Sequence, residues 1–447
     1  MQTYIPELAT RSVSRYTSYP TAAEFHDGIG AAEQRAAIAA IDPGTPVSLY
    51  LHIPFCHAIC WYCGCNTGAI GRADRLTAYL ATLEQEIDAV AAAMRGRVIA
   101  IHLGGGSPNA LAPEDFVRLV DRLRTQFDCA DDLEIAAELD PRTLDADYAA
   151  ALARAGVTRV SLGVQTFSPH IQHRINRLQP LALVQRVVGE LRDAGIARIN
   201  LDLMYGLPGQ HSDDLVDTVT AALALDPDRI ALFGYAHMPA LLSRQRMIDG
   251  ALLPDAAARF AQSRLGHDLL VAAGYAAIGF DHFAKPADSL AIAAAERRLR
   301  RNFQGFTDEI ADTIIGLGAS AISQYDGLLV QNEKHVGRYR LRTANGGLAG
   351  ARGVARSADD RLRGAVIERL LCDNTVDLGA VAKAHGMPVD RLTDVLPHLA
   401  EYAARGLVAI DGNRIELQPA GLPYGRLIAA QFDRYRSPAT TRFSLAV

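Results

Sequence analysis

Four of the chain's six cysteines fall within ten residues, in the stretch Cys56-His57-Ala58-Ile59-Cys60-Trp61-Tyr62-Cys63-Gly64-Cys65. The first three, Cys56, Cys60 and Cys63, follow a C-x3-C-x2-C spacing. Thiolates are the usual ligands of iron–sulfur clusters and of other soft metals. Three ligands on a four-iron cubane leave one iron without a protein ligand. An open coordination position of that kind is where a small molecule can be bound and activated. Zinc is the competing reading of clustered cysteines, although tetrahedral zinc motifs usually pair two Cys/His doublets across a longer loop.

A loop that holds a reactive centre needs a rigid frame, and residues 45–285 supply the pattern of one. Short β-branched, apolar runs at Val47–Ile53, Val98–Leu103, Leu133–Leu139, Arg159–Val164, Arg198–Met204 and Arg229–Gly234 read as strands, and Ala276–Phe280 reads as a candidate seventh. Between them lie helical stretches such as Leu76–Met94, Pro113–Phe127 and Leu181–Ala194. Strands alternating with helices imply βαβ units on a parallel sheet. Six such units fit an α/β fold, an open six-stranded (β/α)6 partial barrel.

Barrel enzymes place their chemistry at the carboxyl ends of the strands. Here the polar residues recur at those ends. The first strand carries Tyr50 and leads into the cysteine loop, and the second ends in Gly104-Gly105-Gly106-Ser107-Pro108. The third bears Glu138 and Asp140, the fourth ends at Gln165, the fifth carries Asp202, and the sixth ends Tyr235-Ala236-His237. Core packing alone gives no reason for that regularity.

The 447 residues carry a formal net charge of −5, which argues against a general nucleic-acid binder. Residues 1–10 lack the apolar core of a secretory signal, and no apolar run approaches the ~20 residues of a membrane span. The expectation is a soluble cytoplasmic protein, where clustered cysteines bind metal more often than they form disulfides. Cys129 and Cys372 sit in helical patterns and read as buried small hydrophobes. Residues 1–30 read as an irregular arm, 31–357 as the catalytic domain and 358–447 as a small helical domain. Periodicity weakens over 286–357, where Glu296–Arg301 is the densest positive run. Beyond it, helices at Arg361–Leu371, Leu378–His385 and Val389–Arg405 and a hairpin over 406–415 resemble a winged helix.

The cysteine spacing resembles the signature of the radical S-adenosylmethionine (SAM) enzymes. Its frame narrows the likeness: His52-Ile53-Pro54-Phe55-Cys56 before it, Trp61-Tyr62-Cys63-Gly64-Cys65-Asn66 within and after it, and farther on Asp202–Pro208, Gly279–Ala284 and Arg301–Gly305. With the Arg15-Tyr16-Thr17-Ser18-Tyr19-Pro20 segment, these resemble the oxygen-independent coproporphyrinogen III oxidases over nearly the whole chain. The resemblance implies a [4Fe–4S] cluster on Cys56, Cys60 and Cys63, with Cys65 outside the ligand set. It implies a 5′-deoxyadenosyl radical that takes hydrogen from two substrate propionates, which leave as carbon dioxide and become vinyl groups, turning coproporphyrinogen III into protoporphyrinogen IX.

Position by position, the resemblance places Tyr50, Gly105, Glu138 and Ile322 at a first SAM, Ile322 being read in a turn. It places Tyr62, Gly106, Ser107, Gln165, Arg177, Asp202 and Ala236 at a second, and Arg15, Tyr19 and Arg301 at the substrate. Ser107 stands where the family commonly has threonine, and Leu103 where it has an aromatic residue. The arm would lie over the active site. Reduced flavodoxin or ferredoxin would be the electron donor, and the chain would act as a monomer without nucleic-acid or membrane partners. Alternatives within the same resemblance are a haem-opening enzyme and a haem-binding chaperone. A DNA-binding regulator with a cluster sensor is the alternative from another class.

Overall fold

The computed structural model describes residues 3–71, 73–436 and 446. Met1 and Gln2 of the expected arm, and residues 437–445 and 447 of the expected C-terminal domain, lie outside the described residues.

The six expected strands form one continuous parallel sheet: β1 (Pro46–Ile53), β2 (Arg97–Gly105), β3 (Cys129–Leu139), β4 (Arg159–Gln165), β5 (Arg198–Tyr205) and β6 (Arg229–Gly234), side by side in chain order. Their register sets Leu49 beside Ile101, Ile101 beside Ile135, and Leu201 beside Ile230. The strands read as apolar runs because helices cover the sheet and both faces are buried: along β1 Val47, Leu49, Leu51 and Ile53 are fully buried on one face, and Ser48 and His52 are buried on the other. The covering helices include Ala73–Ala91, Pro113–Gln126 and Leu181–Asp193. Pro113 opens its helix at the position where a missing N–H costs nothing, with Glu114 and Asp115 in the positive first turn.

The sheet is wider than the six units. The expected seventh strand is β7 (Ala276–Ile278), which lies at the sheet edge, runs in the same direction as β1–β6 and pairs antiparallel with its one neighbour. It is separated from β6 by β8 (His282–Ala284), to which β6 also pairs antiparallel. Gly279 with φ +59 turns the chain between β7 and β8, so the run cannot continue to residue 280 as one strand.

On the other side of β1 lies β9 (Thr313–Leu317), a further parallel strand that pairs Val47 with Thr313 and Leu51 with Leu317. β10 (Ile322–Tyr325), β11 (Leu328–Asn332) and β12 (Gly350–Ala355) extend that edge as an antiparallel meander. Ile322 therefore opens a strand instead of lying in a turn. Much of the segment of weak periodicity is sheet, made of strands of four to six residues, with the helix Val336–Thr343 between β11 and β12. The sheet stays open, with β12 and β7 as its edges. Cys129, expected in a helix, opens β3 and is half-buried; Cys372 is buried in the helix Ala358–Asp373 as expected.

After residue 357 the chain is largely helical. Ala358–Asp373, Leu378–Ala384, Asp390–Thr393 and Leu396–Ala404 pack around a hairpin of Val408–Asp411 and Arg414–Leu417, to which Thr375–Asp377 adds a third strand. Ser357 caps the first helix, accepting from Asp360 N while Asp360 accepts from Ser357 N. The apolar core beneath these helices also takes in Tyr16 and Tyr19 of the N-terminal arm. The Tyr16 hydroxyl donates to Asp433 at 2.9 Å, and Arg434 N donates to the Tyr19 hydroxyl at 2.9 Å. Among the described residues no helix is long and apolar enough to cross a membrane.

Candidate active site

The carboxyl ends of β1–β6 surround a cavity of about 520 Å³. Its wall includes Cys56, Cys60, Cys63 and Cys65, all free thiols. A half-open site of this volume suits a cofactor-sized ligand.

The cysteine loop carries little regular structure of its own, and neighbours hold it. Trp61 N donates to Ile175 O at 3.0 Å, and Asn176 Nδ2 donates to Ile59 O at 2.8 Å. Gln245 Nε2 donates to Tyr62 O at 2.9 Å and to Ala236 O at 3.1 Å, which ties the loop to the end of β6. Arg244 Nη2 donates to Thr67 O at 2.7 Å.

Two guanidinium groups face Cys60. Arg177 Nη1 lies 3.3 Å and Arg142 Nη2 3.5 Å from its Sγ. Asp140 accepts from both, at 3.4 Å from Arg177 Nη2 and 2.6 Å from Arg142 Nη2. Two cations against one carboxylate leave net positive charge beside the sulfur. Arg177 is buried and also donates through Nη2 to Gly163 O, at the end of β4. The backbone N–H of Cys65 donates to Cys63 Sγ at 3.4 Å. Hydrogen bonding from Cys65 draws the Cys63 thiol down to about 6, and burial pushes Cys56 up to about 11. Cys65 is raised, because it is the donor of that pair.

The glycine run after β2 lets backbone approach backbone. A Cβ at Gly105, whose φ is +105, would fall 2.6 Å from the His52 ring; one at Gly106 would fall 2.6 Å from Phe55 O. Gly105 N instead donates to Glu138 Oε2 at 3.4 Å, and Glu138 Oε1 pairs with His102 Nε2 at 3.0 Å. Burial, with the nearby Glu138 charge second, raises the Asp202 carboxyl to about 6, against donors from Asn200 and Ser161. Gln165 closes β4 at φ +68, a left-handed backbone that a non-glycine residue adopts at a cost.

Arg15, Tyr62, Gly105, Gly106, Glu138, Gln165, Arg177, Asp202 and Ala236 line the same cavity as the cysteines. Tyr50, Ser107, Ile322, Tyr19 and Arg301 do not. Tyr50 stacks on His102 with ring centres 5.9 Å apart and meets His52 Nδ1 at 3.1 Å. The Ser107 hydroxyl is turned to Asn109 Oδ1 at 2.6 Å. Ile322 packs beside the cluster of Phe25, Leu329 and Val354. Tyr19 pins the arm at Arg434. Arg301 lies between the rings of Phe280 and Phe306, 4.7 and 4.4 Å from their centres, and donates from Nε and Nη2 to Arg15 O at 3.2 and 3.1 Å. It thus holds Arg15, whose Nη2 donates to Gly234 O at 3.1 Å on the cavity rim.

Sequence reasoning missed Arg142, Arg244 and Gln245. The one signal for Arg142 was a cation two residues after Asp140 at a strand end. The other two come from a short helical turn, Ser243–Met247, that no pattern marked.

The donor set fits an iron–sulfur cluster. Three thiols share one cavity with cations and N–H groups aimed at sulfur. Among the described residues no three His, Cys, Asp or Glu side chains converge on a point one ion could occupy.

Residues 50–222 match the Radical SAM superfamily model, and residues 357–424 match the HemN C-terminal domain. The chain is 44% identical over 435 residues to an oxygen-independent coproporphyrinogen III oxidase of Bradyrhizobium diazoefficiens, covering 97% of each chain. It is 37% identical over 423 residues to the Escherichia coli K12 protein of that name, covering 94% of this chain and 92% of that one. The solved structure of coproporphyrinogen III oxidase from Escherichia coli superposes with a TM-score of 0.90 at 36% identity, over 95% of this chain and 100% of that one. The chain belongs to the oxygen-independent coproporphyrinogen III oxidases of the radical SAM superfamily.

Proposed function

We propose that the chain carries out the oxygen-independent oxidative decarboxylation of two propionates of coproporphyrinogen III, giving protoporphyrinogen IX, as a monomer in a reducing cytoplasm. The observation that carries this is the pairing of near full-length likeness to such oxidases with a cavity where three cysteines meet a glycine-lined strand end.

Cys56, Cys60 and Cys63 would hold a [4Fe–4S] cluster, leaving Cys65 to donate its N–H to Cys63. When bound, the cluster and SAM supply the one-electron chemistry that removes a hydrogen atom from substrate. The chain supplies position, charge and dryness. Arg177 and Arg142 offset the negative charge that thiolate ligation concentrates at Cys60. Gly105, Glu138 and Tyr50 would receive the first SAM, the glycine because only a residue without Cβ leaves room there. Tyr62, Gly106, Gln165, Arg177, Asp202 and Ala236 would receive a second SAM. Ser107 supports that wall through Asn109, whose Nδ2 donates to Asp140 O at 2.8 Å. The Arg15 guanidinium at the rim would meet a substrate carboxylate, held there by Arg301. The arm, anchored at Tyr16 and Tyr19, closes the mouth against water and oxygen.

The test is anaerobic. Reconstituted protein with reductant, SAM and coproporphyrinogen III should release carbon dioxide and form protoporphyrinogen. Cys60→Ala should lose both products and the cluster, while Cys65→Ala should keep the cluster. Wild-type turnover by Cys60→Ala refutes the assignment; loss of the cluster in Cys65→Ala refutes the three-ligand set.

A further inference from the structure

A second cavity, of about 460 Å³, lies directly behind the cysteine loop. Its wall includes Arg75, Lys334, His335 and Arg340, and no carboxylate. All four side chains are exposed. Arg75, Lys334 and Arg340 have no carboxylate within ion-pair distance among the described residues. In a chain of net charge −5, such a cluster of unneutralised cations is a local inversion of sign. An adjoining cavity shares Lys334 and adds Arg338, Arg342 and Arg352 against Asp27 and Glu333. Glu333 is taken up by Arg342 at 3.8 Å. Leu341 stands 77% exposed among these arginines, on the same helix Val336–Thr343. An exposed apolar side chain ringed by like charges is the pattern of a transient protein interface.

What gives this face a use is its distance from the sulfurs. Thr67 belongs to the walls of both cavities. Its Oγ1 lies 3.3 Å from Cys56 Sγ. Phe55, the residue before Cys56, lines the basic cavity, and Asn66 Nδ2 reaches Lys334 O at 3.1 Å. One side chain therefore separates a cationic outer face from a sulfur of the proposed cluster.

We propose that this face, centred on Arg75, Lys334 and Arg340, docks an acidic one-electron donor protein that reduces the cluster from behind. The inference rests on the cluster reading above. The donor is oxidised by one electron and the cluster is reduced by one; no bond or proton changes hands. Charge complementarity selects the partner and steers its approach, and contact at Thr67 leaves a short path to Cys56.

The test uses reconstituted holoenzyme and a purified acidic [2Fe–2S] ferredoxin. Dissociation constants are measured at low and physiological salt, and cluster reduction is followed by its absorbance with ferredoxin or with dithionite. Arg75→Glu and Arg340→Glu should each weaken ferredoxin binding about tenfold and flatten its salt dependence. Reduction by dithionite should stay at the wild-type rate. Arg75→Gln and Arg340→Gln should give intermediate losses, which separates charge from folding. Unchanged affinity and salt dependence in the Glu variants overturns the proposal. So does an equal slowing with dithionite, which would place the effect on the loop itself, and so does saturation of the face by citrate with no ferredoxin bound. Wild type that takes up no cluster overturns the reading of the site, and this proposal falls with it; a cluster that dithionite reduces but whose ferredoxin response ignores these residues overturns the proposal alone.

Discussion

Gly106→Ala is the sharpest test of why the cavity wall is glycine. An added Cβ would lie 2.5 Å from Thr67 Oγ1, 2.6 Å from Phe55 O and 2.8 Å from Ile53 O. The threonine hydroxyl can turn aside. The two carbonyl oxygens cannot, because they accept the bonds that seat this segment: Gly106 N to Ile53 O at 2.8 Å and Ser107 N to Phe55 O at 2.9 Å. An ordinary contact is about 3.4 Å, so relief requires a shift of roughly 0.6–0.8 Å. Overpacking of this kind costs about 1–3 kcal/mol, and each strained hydrogen bond about 1 kcal/mol more. The total is about 3–5 kcal/mol. The strain falls on Phe55 and Thr67, one the neighbour of Cys56 and the other its hydrogen-bond partner. Urea denaturation should therefore show a lower midpoint, and reconstitution should yield less iron and sulfide and weaker SAM binding. Gly189→Ala is the control, since a Cβ there meets nothing within 4 Å and lies inside the helix Leu181–Asp193. It should be neutral or stabilise by about 0.5–1 kcal/mol. A Gly106→Ala protein with the wild-type urea midpoint and full iron content would refute the steric argument.

Two further outcomes follow from buried charge. Burial raises the Glu86 carboxyl from its ordinary 4.5 to about 7, with donors from Tyr339, Gly318 N and Asn332 opposing the shift. The folded chain then binds more protons than the unfolded chain between those values, so stability should fall as pH rises from about 4.5 to about 7 and level off above. Glu86→Gln should flatten that slope in urea titrations at several pH values; an unchanged slope excludes Glu86 as its source. Arg301→Met removes two hydrogen bonds to Arg15 O and the contact with both rings, so the arm should open more often by about 1–2 kcal/mol. Limited trypsin digestion should then cut after Arg11 and Arg15 about tenfold faster, whereas wild-type cleavage rates would show that the arm is held elsewhere.

Much of the frame was legible because a parallel sheet writes itself into sequence. Strands buried on both faces become continuous apolar runs, and each crossover helix separates them by enough polar periodicity to be counted. β6 was delimited to the residue, and the other five parallel strands within a few residues. The signal ends where that logic ends. β9 is a parallel strand like the others, yet the chain enters it from the short hairpin of Arg300–Asn302 and Gly305–Thr307 instead of a long crossover helix, so nothing announced it. β7 has the composition of a strand, but Gly279 turns the chain back into β8, which inserts between β7 and β6. The site divided along the same line. Residues at strand ends, such as Glu138, Gln165 and Asp202, are set by the backbone that carries them and arrive in the cavity. Those whose roles depend on rotamers or distant partners were not legible: Ser107 turns to Asn109, Arg301 grips the arm, and Arg244 and Gln245 come from a turn with no pattern at all.

Only the two-residue pairing of Phe55–Cys56 with Gly68–Ala69 gives the cysteine loop regular structure, and the rest of its order is borrowed. The ties come from separate elements: Asn176 and Arg177 after β4, Arg142 after β3, Gln245 and Arg244 after β6, and the Ile53 and Phe55 carbonyls at the end of β1. Each is a single hydrogen bond worth about 1 kcal/mol in isolation. Together they fix the sulfurs only while all the strand ends keep their relative positions. That makes an open sheet a sufficient scaffold, since closure of the barrel adds nothing the crossing bonds do not already provide. It also explains why three of the ties are arginines. A cluster held by three thiolates concentrates negative charge in a half-buried wall, and guanidinium groups that both donate to sulfur and anchor to neighbouring backbone stabilise that charge while holding the loop. In this chain Arg177 does both, reaching Cys60 Sγ with one nitrogen and Gly163 O with another.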